Sequence, residues 1–296
     1  MMGERGGTTI AAAAFVVLAA FCWGLSGGIG GMLLAAGWDA YLVSFYRGAI
    51  GLLFVLGWLV VHPHRSGLSD TRLWFWSAVA GLGVAGNFTF YFVSISQGSV
   101  AVAATLMYCA PIFVFLVSFA LGLETPSVRK WVAIALVLVG IVLLTRVYDA
   151  GAADVTLLGV AAGLLAGACY ALFIFGFKYA APHGSPPAIL AIAFAVLAGV
   201  LIWPSDAGQV AAVLGAPGLP LFVALGVLGA GLSFILYVVG LRETAPAVAS
   251  IVAMIEPVTA SLFGVLVLSE SLTATQIVGM ALILLTVTAL SVRASQ

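Results

Sequence analysis

Charged residues are scarce in this chain. Only 7% of its 296 residues are Asp, Glu, Lys or Arg, whereas 64% are hydrophobic. Soluble domains carry about 25% charged residues, so a single water-soluble core is excluded. The apolar stretches between the charges are about 20 residues long, which is the length that a helix needs to cross about 30 Å of hydrocarbon. The composition therefore predicts an all-α membrane protein.

Residues that usually carry catalysis or bind metals are also few. The chain has 3 cysteines and 3 histidines, and none is spaced like zinc ligands or like the members of a nucleophilic triad. It contains no P-loop sequence for nucleotide phosphates. We therefore expect no metal, no cofactor and no nucleic-acid partner. An intramembrane enzyme is an unfavoured alternative, because no nucleophile, base and oxyanion donors come together at one depth.

Charges, prolines and glycines divide the chain into ten predicted membrane spans. The spans are placed near residues 10–35, 41–61, 73–93, 99–121, 129–146, 156–178, 187–203, 219–240, 246–268 and 274–292. With ten spans, both termini and the even-numbered loops lie on one side of the membrane. That side holds every basic residue except Arg47 and Arg146. The positive-inside bias therefore predicts cytoplasmic termini in a bacterial inner membrane.

A segment of the first half that starts at Tyr91 repeats without a gap in a segment of the second half that starts at Tyr237, at an offset of 146 residues. The offset pairs Tyr91 with Tyr237, Pro111 with Pro257, and Glu124 with Glu270. Five spans in each half is an odd number, so the two copies must run in opposite directions across the membrane. We predict a polytopic protein of ten transmembrane helices, formed as one unit by two inverted five-helix repeats at residues 1–147 and 148–296.

Short motifs in both halves resemble a known transporter family. The fourth span and helix end of each half read APIFVFLVSFALGLE and EPVTASLFGVLVLSE, and Trp23-Gly24 and Tyr46-Arg47-Gly48 occur in the first two spans. These residues resemble the EamA branch of the drug/metabolite transporter superfamily, and within it the aromatic amino-acid exporters of the YddG type. The family often has a Lys shortly after Trp-Gly, whereas this chain reads LSGGIGGML. Any role of that Lys cannot be transferred.

The resemblance implies ten helices around a central cavity, with the fifth and tenth helices at the periphery. It implies secondary transport of small amphipathic metabolites, with aromatic and other neutral amino acids as the expected solutes, by alternating access. A flippase for lipids or undecaprenyl-linked sugars is the alternative within the same superfamily. The expected partners are the small-molecule substrate and the lipid bilayer.

Two polar and aromatic pairs mark candidate walls of such a cavity. Asn87 and Tyr91 are four residues apart and share one helical face, and the repeat places Ser233 and Tyr237 at equivalent positions. Such residues either face a substrate or form hydrogen bonds between helices, and the sequence leaves both open. The predicted substrate-binding residues are Trp23, Asn87, Tyr91, Tyr108, Tyr170, Ser233, Tyr237 and Met254.

Two charged residues fall within predicted spans, where an unpaired charge is costly. Glu256 is predicted near the bilayer midplane, immediately before Pro257. Its carboxyl either faces the cavity and supports transport or bonds a carbonyl that the proline frees. Arg47 lies in the second span and either pairs with a partner such as a carbonyl or Asp39 or contacts the substrate. Both residues are predicted to have a coupling or structural role.

Two glycine patterns have a structural interpretation. Gly81, Gly83 and Gly86 match the dinucleotide fingerprint but lie within an apolar span, so the required strand is missing. Gly159, Gly163 and Gly167 form a stripe of small residues. Both patterns predict close packing of helices in lipid. Lys178, at the end of the sixth span, is expected to extend its ammonium toward the headgroups.

Overall fold

In a computed structural model, the protein is described over residues 2–61, 66–97, 100–123, 125–149, 156–267, 269 and 271–293. His62, His64, Glu124 and Glu270 lie outside the described residues. The described chain is all-helical, as the composition predicted. Its α-helices are α1 (Met2–Ala35), α2 (Ala40–Val61), α3 (Thr71–Ser96), α4 (Val100–Met107), α5 (Ala110–Ala120), α6 (Val128–Thr145), α7 (Leu157–Ala180), α8 (Pro186–Leu201), α9 (Ala207–Ala212), α10 (Leu219–Gly226), α11 (Ser233–Glu243), α12 (Pro246–Val252), α13 (Ile255–Val267) and α14 (Ala274–Arg293).

Many of these helices have the length and apolar character of membrane spans. Eight stretches are long and apolar enough to cross a membrane: Ala12–Ala35, Ala40–Val61, Thr71–Ile95, Val102–Ala120, Val128–Thr145, Leu157–Ala180, Leu219–Glu243 and Pro246–Val267. Two shorter apolar helices, Pro186–Leu201 and Ala274–Ala289, lie where the seventh and tenth spans are predicted. The total of ten spans therefore stays a prediction.

Two of the apolar stretches are interrupted helices, and a proline follows each interruption. The break between α4 and α5 precedes Pro111, and the break between α12 and α13 precedes Pro257. Proline has no amide hydrogen and its ring clashes with the carbonyl four residues earlier. At the second break that carbonyl belongs to Ala253, which accepts a bond from the Glu256 amide at 2.9 Å instead. The internal repeat also pairs these two positions.

The helices of the two halves pack against each other in a reciprocal way. In the first half, α1 contacts α11 and α13 of the second. In the second half, α7 contacts α3, α4 and α5 of the first. Helices α2 and α8 also contact each other, and α6 and α14 pack chiefly against each other. The pattern of contacts is therefore similar when the halves are exchanged.

The glycine patterns occur where helices approach closely. A Cβ atom at Gly81 would lie 2.4 Å from the Ala193 carbonyl oxygen on α8, and one at Gly83 would lie 2.7 Å from the Phe173 nitrogen on α7. A Cβ atom at Gly163 would lie 2.7 Å from the Cβ of Leu106 on α4. The packing interpretation of both patterns is confirmed, because larger residues would force these backbones apart.

Candidate substrate cavity

A cavity of about 420 Å³ lies between the two halves. Its volume falls in the range of about 300–1,000 Å³ that is usual for small-molecule sites. Helices α1, α2 and α3 line one part of it, and α7, α11 and α13 line the other. The lining includes seven of the residues singled out from the sequence: Trp23, Arg47, Asn87, Tyr91, Tyr108, Tyr170 and Glu256.

The cavity extends toward one end of the helix bundle. Gly30, Gly31 and Leu34, near the carboxyl end of α1, belong to its lining, as does Ile95 near the carboxyl end of α3. Leu34 is 41% exposed. The cavity therefore extends to the end of the bundle at which α1 and α3 terminate.

Three predicted substrate-binding residues lie outside the cavity lining. Ser233, Tyr237 and Met254 are fully buried, with no exposed surface. The ring of Trp23, which does line the cavity, packs on Tyr237 with ring centres 4.9 Å apart. Trp23 thus stands between Tyr237 and the cavity. The repeat made the Asn87 and Tyr91 pair equivalent to Ser233 and Tyr237, but only the first pair reaches the cavity.

The burial of Tyr237 leads to a prediction about stability. Its hydroxyl is buried without a hydrogen-bond partner among the described residues, and a buried polar group without a partner destabilises a fold. We expect Tyr237→Phe to leave the thermal unfolding temperature of the detergent-solubilised protein unchanged or to raise it. Tyr237→Ala should lower stability by about 3–5 kcal/mol because it leaves a void. A clear loss of stability in Tyr237→Phe would contradict this prediction.

Asn87 combines the two roles that its sequence left open. Its side-chain nitrogen Nδ2 donates to the Ala166 carbonyl oxygen on α7 at 2.9 Å, so it joins two helices. The residue also lines the cavity, together with Tyr91 one turn later. A hydrogen bond between helices fixes the Asn87 side chain beside the cavity.

Aromatic rings form one wall of the cavity. Trp23 packs on Phe234 with ring centres 4.9 Å apart, and Tyr170 packs on Phe173 at 4.4 Å. The indole nitrogen of Trp23 and the hydroxyl of Tyr170 are buried without hydrogen-bond partners among the described residues. This wall therefore presents a largely apolar aromatic surface to the cavity.

Arg47 is anchored across the interface between the halves. Its Nε and one Nη atom donate to the Gly229 carbonyl oxygen at 2.9 and 2.7 Å. Gly229 belongs to a π-helical segment, Val227–Leu232, between α10 and α11. A Cβ atom there would lie 3.0 Å from Arg47 Nε, so glycine allows the contact. Of the two partners expected from the sequence, the carbonyl is the one observed, whereas the Asp39 carboxylate accepts from the Leu42 amide.

Arg47 and Glu256 both line the cavity. The guanidinium carbon of Arg47 lies 5.1 Å from the centre of the Phe88 ring, which places it in cation–π range. Glu256 is in the first turn of α13. Among the described residues, it forms no ion pair within 4 Å, and the Tyr170 hydroxyl does not meet hydrogen-bond geometry with it.

Polar contacts hold the opposite end of the bundle together, and the contact between Asp70 and His183 joins the two halves. The Asp70 carboxylate caps α3 through the Arg72 amide, and it contacts His183 Nδ1 at 2.7 Å. The Arg72 amide bond and then the His183 contact hold the pKa of Asp70 below its usual value. Lys178 Nζ donates to the carbonyls of Leu241, Arg242 and Thr244 at 2.7, 2.8 and 3.0 Å. Lys178 therefore caps the end of α11, which its sequence context did not predict.

Some parts of the cavity were missed in the sequence. Phe88, which contacts Arg47, was overlooked beside Asn87, although a cation near an aromatic residue could have suggested the pair. Gly229 had no visible signal in the sequence, since its role depends on a carbonyl that a π-helical turn presents to Arg47. Within the described residues, no group of three or more His, Cys, Asp or Glu is placed to bind a metal ion.

Comparison with known proteins agrees with the fold and the cavity. Residues 10–146 and 157–292 each match the EamA-like transporter family. The chain belongs to this family, and it is a multi-pass membrane transporter with two family repeats. The aromatic-exporter subgroup suggested by the sequence stays a prediction.

Individual relatives extend this comparison. The chain is 32% identical to an uncharacterized transporter of Archaeoglobus fulgidus, over 84% of this chain and 85% of that protein. It is 27% identical to the uncharacterized transporter YwfM of Bacillus subtilis, over 92% and 90%. It is 30% identical to the threonine/homoserine exporter RhtA of Salmonella typhimurium, over 69% and 66%. A solved crystal structure shares the fold with a TM-score of 0.76 at 19% identity, over 96% of this chain and 98% of that chain.

Proposed function

We propose that this transporter exports small amphipathic metabolites, among them aromatic and other neutral amino acids, as a secondary transporter. The observation that carries the proposal is the cavity between the two halves, which combines an aromatic wall with a few polar and charged groups. Aromatic rings bind apolar side chains broadly, while the polar groups orient an amino-acid backbone. The Salmonella relative is named as an amino-acid exporter, which agrees with this choice of solute.

The proposed mechanism is alternating access between the repeats at residues 1–147 and 148–296. Reciprocal packing of the halves supports it, because inverted repeats can exchange their conformations around a site at their interface. The cavity reaches the ends of α1 and α3, while contacts such as Asp70 with His183 join the halves at the other end. With ten spans and cytoplasmic termini, this conformation is open to the outside of the inner membrane.

The flippase alternative is less well supported by the geometry. A flippase needs polar groups along a lateral opening that guides a headgroup through the membrane. Here the charged groups Arg47 and Glu256 belong to the cavity between the halves. Large side chains exposed on the membrane-facing helices are apolar, such as Leu53, Leu82 and Leu285. We therefore favour transport of a water-soluble solute.

The test is counterflow in proteoliposomes with tryptophan, phenylalanine, alanine and a sugar phosphate. We expect exchange of the amino acids and none of the sugar phosphate, because the described residues that line the cavity include no cluster of cations for phosphate. Tyr91→Ala should impair aromatic substrates more than alanine by about 0.5–1.5 kcal/mol, the value of a stacking contact. Tyr148→Ala is the matched control, since Tyr148 is 51% exposed and lies outside the cavity. Exchange of the sugar phosphate alone, or no difference in exchange among the four solutes, would defeat the proposal.

A further inference from the structure

Two opposite charges share the cavity without neutralising each other. Arg47 and Glu256 both line it, yet they form no ion pair within 4 Å among the described residues. Charged side chains within a membrane protein are costly unless they are paired or face water or a ligand. The fold thus keeps a positive and a negative group facing the same small space, and their charges remain available to a third molecule.

The hydrogen bonds of each group leave part of it free for a ligand. Arg47 uses Nε and one Nη atom on the Gly229 carbonyl, and a guanidinium has five N–H donors. The remaining donors form no bond with the described residues. Among the described side chains, none meets hydrogen-bond geometry with the Glu256 carboxylate, and this includes the Tyr170 hydroxyl. One group is therefore an available donor and the other an available acceptor.

The two charges belong to different halves of the protein. Arg47 is on α2 and Glu256 is on α13. The Arg47 side chain is held in place by the Gly229 carbonyl, and Glu256 lies in the first turn of α13, just before Pro257. A ligand that touches both charges therefore connects the two halves, and its binding responds to how the halves are arranged.

We propose that this cavity selects zwitterions, with Glu256 binding the α-ammonium and Arg47 binding the α-carboxylate of an amino acid. An ammonium supplies three donors to a carboxylate, and a guanidinium matches a carboxylate with paired donors. The side chain of the amino acid then lies against the aromatic wall that contains Trp23 and Phe173. A molecule with only one charge leaves either Arg47 or Glu256 beside it without an opposite charge, which is costly.

This inference rests on the proposed function, and its test separates the two. The probes are four ligands with the same ring, which compete with labelled phenylalanine in proteoliposome counterflow. They are phenylalanine, its amide without the carboxylate, N-acetylphenylalanine without the ammonium, and N-acetylphenylalanine amide with neither charge. We expect phenylalanine to compete at least about tenfold better than each of the others, because a hydrogen bond to a charged group is lost in each analogue.

Variants assign the two charges. Glu256→Gln should reduce the preference of the transporter for phenylalanine over N-acetylphenylalanine. Arg47→Gln should reduce its preference for phenylalanine over phenylalanine amide. Arg47→Lys, which keeps a cation and a donor for Gly229, should retain most of that preference. Matched controls outside the cavity are Glu243→Gln on the exposed end of α11 and Arg146→Gln in an exposed ion pair; both should retain the wild-type preferences.

The outcomes distinguish the two ideas. Amino-acid exchange without preference for the zwitterion in the wild-type protein overturns this inference and leaves the proposed function intact. Preferences that survive unchanged in folded Glu256→Gln and Arg47→Gln proteins overturn the assignment of the charges. Absence of exchange for every amino acid overturns the proposed function and this inference with it. The wild-type panel is decisive by itself if Arg47→Gln fails to fold.

Discussion

Replacing Gly24 with alanine is expected to destabilise the protein by about 1–3 kcal/mol or more, the usual cost of overpacking a core. A Cβ atom there would lie 2.5 Å from Thr259 Cβ, 2.6 Å from the Glu256 carbonyl oxygen and 2.9 Å from the Ala260 nitrogen. Two of these atoms belong to the backbone of α13, so a side-chain rotation cannot relieve the clash. Helices α1 and α13 would have to separate next to the cavity. Thermal unfolding in detergent measures the effect.

Gly57→Ala is the matched control for this prediction. Gly57 is also inside a helix, but a Cβ atom there meets nothing within 4 Å. The control should therefore keep or slightly raise the unfolding temperature, since alanine favours a helix over glycine by about 1 kcal/mol. Equal unfolding temperatures for Gly24→Ala and wild type would mean that α1 and α13 are not in close contact.

Replacing Gly31 with tryptophan is expected to reduce transport to background without loss of stability. Gly31 lines the cavity, and a Cβ atom there meets nothing within 4 Å. The indole of the new tryptophan therefore fits without a clash. It nevertheless occupies space that a solute needs, since the whole cavity measures only about 420 Å³. Its bulk would also hinder closure around a solute. Counterflow of labelled phenylalanine and thermal unfolding measure the two effects.

Gly57→Trp provides the comparison, because Gly57 is exposed, has the same free space around it and lies outside the cavity. The Gly57→Trp protein should insert into the membrane, unfold at the same temperature and transport phenylalanine like the wild type. Normal transport by a folded Gly31→Trp protein would show that solutes do not pass along the end of α1, and it would move the proposed pathway elsewhere.

Much of the fold could be predicted because it depends on local composition. A helix satisfies all of its backbone groups within one segment, so any apolar stretch of sufficient length in lipid must be helical. Pro257 indicated a disturbed helix because the missing amide of proline acts on its own turn. The packing of Gly83 against α7 was also foreseeable, since small residues in apolar spans allow backbones to approach. The number of spans is harder to predict, because α8 and the apolar part of α14 are short.

The candidate site was only partly predictable, and the repeat explains why. Equivalence by sequence made Tyr91 and Tyr237 look alike, but Trp23 packs over Tyr237 and removes it from the cavity. A symmetric sequence pattern does not reveal which of two positions a third helix covers. Lys178 shows the same limitation, because its three carbonyl partners lie at the end of α11, more than sixty positions away along the chain.

The sequence by itself determined that this protein is helical, belongs in a membrane and consists of two related halves, because hydrophobicity and repetition are properties of the chain. It also placed Glu256 and Arg47 among apolar residues, where an unpaired charge is costly. Only the tertiary structure decided that both charges line one cavity and that Arg47 binds the Gly229 carbonyl. These contacts join residues from different halves, and their geometry depends on how the helices cross, which no local pattern encodes.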